Sequence, residues 1–127
     1  MTDAQFFGYI KGALRRVSMF WEPAKEATNA ARVSRGVYEC AACGRHVPAS
    51  RKVETGKRAG KRTKNFHVDH ITPVIDPDVG FTSWDDVIER MFCEIDGFQI
   101  LCSDCHDEKT KAERKVANAR RKRERAK

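Results

Sequence analysis

Two cysteine pairs, Cys40-x-x-Cys43 and Cys102-x-x-Cys105, bracket the stretch Phe66-His67-Val68-Asp69-His70-Ile71-Thr72-Pro73, and His106 follows the second pair at once. Thiolates two residues apart can bite one ion, and two such pairs make a closed tetrahedral sulfur site of the kind that suits Zn²⁺. An iron–sulfur cluster or a redox dithiol would draw on the same residues. The pairs are separated by 58 residues, longer than a simple zinc ribbon, so the site is expected to staple the base of folded structure. Metal binding of this kind is folding free energy, on the order of 10 kcal/mol in small zinc peptides.

A closed sulfur site leaves no coordination position for hydrolysis, so any chemistry must lie elsewhere. Asp69 and His70 are consecutive at the end of a predicted strand, where side chains alternate between faces. A carboxylate can hold a hard divalent ion while an imidazole, which titrates near neutrality, reaches toward a water. His106, fixed beside Cys105, could supply a second ligand to that ion. A structural Asp–His hydrogen bond is the competing reading of the same dipeptide. His67 is expected to be a solvent-facing strand residue, His46 to lie at the surface, and Cys93 to be a small buried apolar side chain rather than a ligand.

The elements that must position these groups are legible as patterns. Residues 3–21 carry Phe6, Phe7, Ile10, Ala13, Leu14, Val17 and Trp21 at helical spacing, predicting an amphipathic packing helix. Pro23 opens a second helix, residues 24–33, with Gly36 as its stop. Residues 40–44 read as a knuckle whose Gly44 permits the tight turn. Residues 47–53 read as a strand weakened by Pro48, and residues 65–71 as the strand that returns. Phe66 and Val68 share one of its faces, His67 and Asp69 the other. Asp76-Pro77-Asp78-Val79-Gly80 is a turn cluster. Ser83-x-x-Asp86 caps a helix with Trp84, Val87, Ile88, Met91 and Phe92 on its apolar face. Residues 98–101 form a short strand leading to the second cysteine pair, and a helix follows.

The net charge of +7 hides a separation. Residues 109–127 carry ten Lys or Arg against two Glu, and residues 51–64 carry seven against Glu54, so the remainder is near −7. Two basic arms on an acidic body predict a polyanion partner, nucleic acid first. The cations expected to grip a phosphate backbone are Arg51, Lys52, Lys57, Arg58, Lys61, Arg62 and Lys64 in the loop, with Lys109 and Lys111 beyond the second knuckle. The basic end, lacking an apolar face, is expected to fray until a polyanion neutralises it. No apolar run is long enough to span a bilayer, and the N-terminus does not read as a signal peptide. With 5 Cys and no secretory signal, metal ligation in a reducing compartment is expected rather than disulfides.

The order C-x-x-C, then Val68-Asp69-His70-Ile71-x-Pro73, then Leu101-Cys102-x-x-Cys105-His106-x-x-Lys109 resembles the HNH endonuclease family, over residues 38 to about 111. The flanks, Trp21-Glu22-Pro23 and Gly80-Phe81-x-x-Trp84, are similar in texture to small HNH proteins of tailed bacteriophages. The resemblance implies an α+β fold with a ββα-metal core, stapled by a four-cysteine zinc site. The core would span residues 37–112, between a helical arm at 1–36 and a basic helix or tail at 113–127. It implies His70 as general base, Asp69 and His106 as ligands of a catalytic Mg²⁺ or Mn²⁺, and Cys40, Cys43, Cys102 and Cys105 as the structural zinc ligands. The activity implied is hydrolysis of double-stranded DNA, by nicking or double-strand cleavage, in the cytoplasm of a bacterial host cell. A non-catalytic zinc-stapled nucleic-acid-binding protein, a packaging accessory or regulator, is the alternative. The family's middle asparagine, which ties down the loop carrying the histidine, is replaced here by Gly97. Asp96, Gln99 or backbone amides are expected to take over that task.

Overall fold

A computed structural model describes residues 1–127 as an α+β chain with three small antiparallel sheets. Helix α1 spans Asp3–Ser18 and α2 spans Glu22–Ala31. Strands β1 (Arg32–Ser34), β2 (Val37–Glu39) and β3 (His46–Pro48) form one sheet, and β4 (Ser50–Lys52) pairs with β5 (Arg62–Lys64) as a hairpin. β6 (Phe66–His70) pairs with β7 (Phe98–Cys102), with α3 (Trp84–Met91) inserted between them in the chain. α4 (Ser103–Arg125) follows β7 without a break.

The β6–β7 pair is the centre of the molecule. Its register sets Phe66 opposite Cys102, Val68 opposite Ile100, Asp69 opposite Gln99 and His70 opposite Phe98. The knuckle docks on this pair through the Ala41 N–H, which donates to the Ile100 carbonyl at 2.8 Å, and through Tyr38 stacked on Phe66 at 4.2 Å. Burial is sparse: 11 of 127 residues are buried, and Cys40, Leu101 and Cys102 make one compact cluster, backed by Val47 and Cys105. So small an apolar core leaves the cysteines to hold much of the body together.

The helices depart from expectation in instructive ways. α1 begins at a capping box, Thr2 with Gln5, and ends at Ser18, so Trp21 becomes the N-cap of α2. The predicted apolar face is split: Phe7 packs against Phe81 and Trp84, whereas Phe6 and Val17 are exposed together with Tyr9, Met19 and Phe20. α2 stops at Ala31, before Gly36. That glycine, at φ +71°, turns the β1–β2 hairpin instead of ending a helix. The strand expected over 47–53 breaks at Ala49 into β3 and β4, which join different sheets. α3 starts at Ser83, whose hydroxyl accepts from the Asp86 N–H at 3.1 Å, and it buries Val87 and Met91 while leaving Ile88 exposed.

The basic end does not fray. α4 runs to Arg125, so the boundary expected at residue 112 falls inside one continuous helix. Arg120 donates to the Pro77 carbonyl at 3.0 Å, and Arg123 pairs with Asp78 at 2.9 Å, which ties this helix to the 76–80 turn. No helix is long and apolar enough to cross a membrane.

Trp21 links the N-terminal helices to the body. Its indole N–H donates to the Cys93 carbonyl at 2.7 Å, and its ring meets Phe92 edge-on at 5.6 Å. Trp21→Phe keeps an aromatic ring but orphans that carbonyl, a loss of about 1 kcal/mol. Denaturant unfolding checks this, and an unchanged midpoint would show that the contact carries no stability.

Candidate active site and metal centre

The sulfur atoms of Cys40, Cys43, Cys102 and Cys105 all lie within 4.8 Å of one another, the one group of three or more Cys, His, Asp or Glu ligand atoms that converges so closely. Local structure explains the convergence. The Gly44 N–H returns to the Cys40 carbonyl at 2.9 Å, with Gly44 at φ +74°, which folds the first pair into a tight turn. Cys102 caps α4 and Cys105 sits one turn later, so the second pair projects from the start of the helix. Cys43 Sγ and Cys102 Sγ stand 3.9 Å apart. Sulfurs around Zn²⁺ at ~2.3 Å would be separated by about 3.8 Å. By donor type and spacing the quartet could hold a zinc ion.

The electrostatics fit an ion bound by thiolates. Arg45 Nε donates to Cys43 Sγ at 3.4 Å, and its Nη2 donates to Cys102 Sγ at 3.7 Å and meets Asp104 at 3.6 Å. The Arg45 side chain, with its own backbone, holds the Cys43 thiol down to about 6. At Cys40, burial opposes ionisation but is outweighed by the backbone N–H groups of Cys43, Cys102 and Ala42. Without a cation the four sulfurs cannot all ionise: the hydrogen bond with Cys102, then burial, pushes Cys105 up to about 12. Cys93 lies outside the quartet. It is half-buried, and burial raises its thiol, as expected of a packing residue.

Asp69, His70 and His106 lie along one cleft of about 930 Å³, together with His67, Lys64 and Lys109. His70 Nε2 lies 2.9 Å from the Met91 carbonyl. A carbonyl only accepts, so Nε2 carries the proton and Nδ1 is left as the lone-pair nitrogen. Met91 ends α3, where the final carbonyls lack intrahelical partners, and His70 satisfies one of them. Nδ1 has no hydrogen bond, and no buried side-chain polar atom in the protein lacks a partner, so this nitrogen is open to solvent.

This geometry replaces the orienting role expected of Asp96, Gln99 or backbone amides. Backbone carbonyls do the work: Met91 holds the ring, and Gly97 accepts the Ile71 N–H at 3.0 Å, which ties the chain just after His70. A side chain at 97 has no room, because a Cβ there would stand 2.5 Å from Cys93 Sγ. Gln99 instead donates to Asp69 Oδ2 at 2.9 Å.

Asp69 is more heavily engaged than its spacing implied. Lys109 Nζ donates to its Oδ2 at 2.6 Å and to the His70 carbonyl at 2.7 Å, and meets Glu113 at 3.2 Å. Lys109 is therefore committed inside the site rather than free for a distant phosphate. Asp69 Oδ1 remains without a hydrogen bond and is solvent-accessible by the same reasoning as Nδ1. His106 stacks face to face on His67, with ring centres 4.4 Å apart. His67 is thus not the solvent-facing residue expected. It is half-buried, its Nε2 lies 3.2 Å from Ser103 Oγ, and burial, followed by His106 and Lys64, lowers its pKa. His46 is exposed beside Glu39, as expected.

Among the cations expected to grip a backbone, Lys64 and Lys109 line the cleft. Arg51, Lys52, Lys57, Arg58, Lys61 and Arg62 are exposed on the β4–β5 hairpin, where Arg62 folds back on Ser50 at 3.0 Å, and Lys111 is exposed on α4. Missed by sequence reasoning are Lys11, Arg15, Arg16 and Lys25, which α1 and α2 bring to the same cleft. No protein-family model, curated protein or solved structure matches the chain, so the site is read from its own chemistry.

Two outcomes follow. Metal analysis is expected to find one tightly held zinc per chain, and Cys102→Ser to lose both zinc and the folded state; a folded, zinc-free Cys102→Ser protein would refute the staple. Gly97→Asn is expected to destabilise by about 1–3 kcal/mol through overpacking. Cys93→Ala should recover part of that loss in a thermal melt, whereas an unchanged melting point for Gly97→Asn would contradict the steric account.

Proposed function

We propose that this protein is a metal-dependent DNA endonuclease of the HNH type, with β6, β7 and the start of α4 as its ββα-metal core and the cysteine quartet as its structural zinc site. The observation that carries this reading is the state of His70. Its ring is clamped through Nε2 by the Met91 carbonyl, Nδ1 has no hydrogen bond, and the residue lines a cation-rich cleft together with Asp69. Such a nitrogen is built to take a proton from water.

The residues present fit a hard divalent ion. Asp69 and His106 line one cleft, Asp69 Oδ1 and the His106 ring make no hydrogen bond, and these two groups would hold such an ion. Bound there, Mg²⁺ or Mn²⁺ supplies Lewis-acid charge against the negative charge that develops on the phosphate. His70 Nδ1 takes the proton of the attacking water as its oxygen bonds to phosphorus. The bond from phosphorus to the 3′ oxygen breaks, that oxygen gains a proton from solvent, and a 5′-phosphate and a 3′-hydroxyl remain. The Met91 carbonyl keeps the ring aimed and supports the positive charge it acquires. Gln99 and Lys109 fix Asp69, and through the His70 carbonyl Lys109 also fixes the Asp69–His70 backbone.

One observation favours a second reading. An Asp69 already neutralised by Lys109 at 2.6 Å resembles a structural ion pair, as in a zinc-stapled protein that binds nucleic acid without cutting it. Plasmid cleavage separates the two. With Mg²⁺ or Mn²⁺ the wild type is expected to nick or linearise supercoiled DNA, and His70→Ala to do so at least ~100-fold more slowly with DNA binding retained. Equal cleavage by both would remove His70 as the base, and binding without cleavage by the wild type would favour the second reading.

A further inference from the structure

We infer that the N-terminal helices form a phosphate clamp: Lys11, Arg15, Arg16 and Lys25 hold the phosphodiester backbone of one nucleic-acid strand in the cleft that His70 also lines. The inference deepens the nuclease reading and rests on it for the position of the cut, but its binding test stands apart from cleavage.

The first observation is placement. α1 contributes Lys11, Arg15 and Arg16, and α2 contributes Lys25, to the same 930 Å³ cleft that β6 lines with His67, Asp69 and His70. The second is charge. Six lysines and arginines line the cleft against two carboxylates, Asp69 and Glu113, which leaves a formal +4 before any histidine is counted. The third is the absence of carboxylate partners, although Lys11, Lys25 and Lys64 lie over the rings of Phe7, Phe20 and Phe66. Lys109 satisfies both carboxylates, whereas Lys11, Arg15, Arg16, Lys25 and Lys64 take part in no ion pair anywhere in the protein. Lys11 is also partly buried with Arg15 as a like-charged neighbour, an arrangement that an incoming anion relieves.

The ligand chemistry follows from the geometry of these charges. A single small anion would need convergent donors, but these cations are spread along two helices and the wall of a groove. Evenly spaced phosphates on a polymer match that spread, and such contacts give affinity and register without sequence choice. A cleft of this volume accommodates a length of one strand rather than a whole duplex. Of the β4–β5 hairpin only Lys64 lines the cleft; its other cations, Arg51, Lys52, Lys57, Arg58, Lys61 and Arg62, lie outside it and add grip beyond it. The clamp predicts that α1 and α2 set where the scissile bond lies relative to Nδ1.

The test uses the full zinc-loaded chain carrying His70→Ala, so that nothing is cut. A fluorescein-labelled duplex DNA is titrated by anisotropy at several salt concentrations, with EDTA omitted and Ca²⁺ present. The variant Lys11→Gln, Arg15→Gln, Arg16→Gln, Lys25→Gln is expected to lower the slope of log affinity against log salt by about 3 to 4, at ~0.9 per phosphate contact. Because Lys11 is partly buried, a second variant carrying only Arg15→Gln and Arg16→Gln guards against misfolding and should lower the slope by about 2. A wild-type slope in both variants, or no DNA binding by the parent, overturns the clamp. A reduced slope in a protein whose active form cuts no DNA would uphold the clamp and sink the nuclease reading instead.

Discussion

Everything in this molecule hangs on four sulfur atoms brought within 4.8 Å of one another. The two backbone segments that carry them are far apart in sequence and otherwise share few buried contacts. Without an ion the four sulfurs cannot all be thiolates: the hydrogen bond with Cys102, then burial, pushes the Cys105 thiol up to about 12. A zinc ion, which the quartet could hold, would make them the strongest long-range tie in the chain. Arg45, lying over Cys43 and Cys102, completes the charge balance from outside. The tie fixes the end of β7 against the knuckle. β7 in turn fixes the register of β6, and β6 delivers Asp69 and His70 to the cleft.

The second level of control is backbone geometry. His70 is aimed by a helix-terminal carbonyl, and the chain after it is held by the carbonyl of Gly97. Trp21 binds the Cys93 carbonyl two residues beyond Met91, so the N-terminal arm braces the same turn that braces the histidine. The proposed catalytic end and the arm that shares its cleft are therefore tied through one turn. Lys109 adds the electrostatic part. By bonding Asp69, the His70 carbonyl and Glu113 together it ties α4 to the end of β6 and neutralises a carboxylate that would otherwise stand alone.

The parts legible in the sequence were those with short-range causes. Metal-ligand spacing is local, so Cys40, Cys43, Cys102 and Cys105 could be grouped, and the Ser83 cap could be read from its neighbours. The pairing of β6 with β7 was not legible: residues 65–71 read as the strand returning after 47–53, whereas β4 pairs with β5 and β6 with β7, because register between distant strands is a long-range property. What orients His70 was not legible, since a carbonyl belongs to every residue and leaves no signature. Gly97 looked like a lost side chain; its cause is Cys93 Sγ, four residues back and pressed against it by the turn after α3. Lys109 looked like one cation among many, because nothing in its spacing reveals that it meets Asp69. The division of α1 into a face on Phe81 and Trp84, a charged face on the cleft and an exposed apolar side depends on how the helix rolls onto α3. Spacing alone merged Phe6 and Val17 with the packed residues.

The central claim is that the Met91 carbonyl holds His70 with its proton on Nε2 and a bare Nδ1. Long-range nitrogen–proton correlation spectra of uniformly ¹⁵N-labelled protein, recorded above about pH 8, where an unperturbed imidazole is neutral, test it directly. The account predicts one fixed tautomer for His70, protonated at Nε2 with a lone-pair nitrogen at Nδ1. A proton on Nδ1, or the averaged signals of a freely exchanging imidazole, would contradict it.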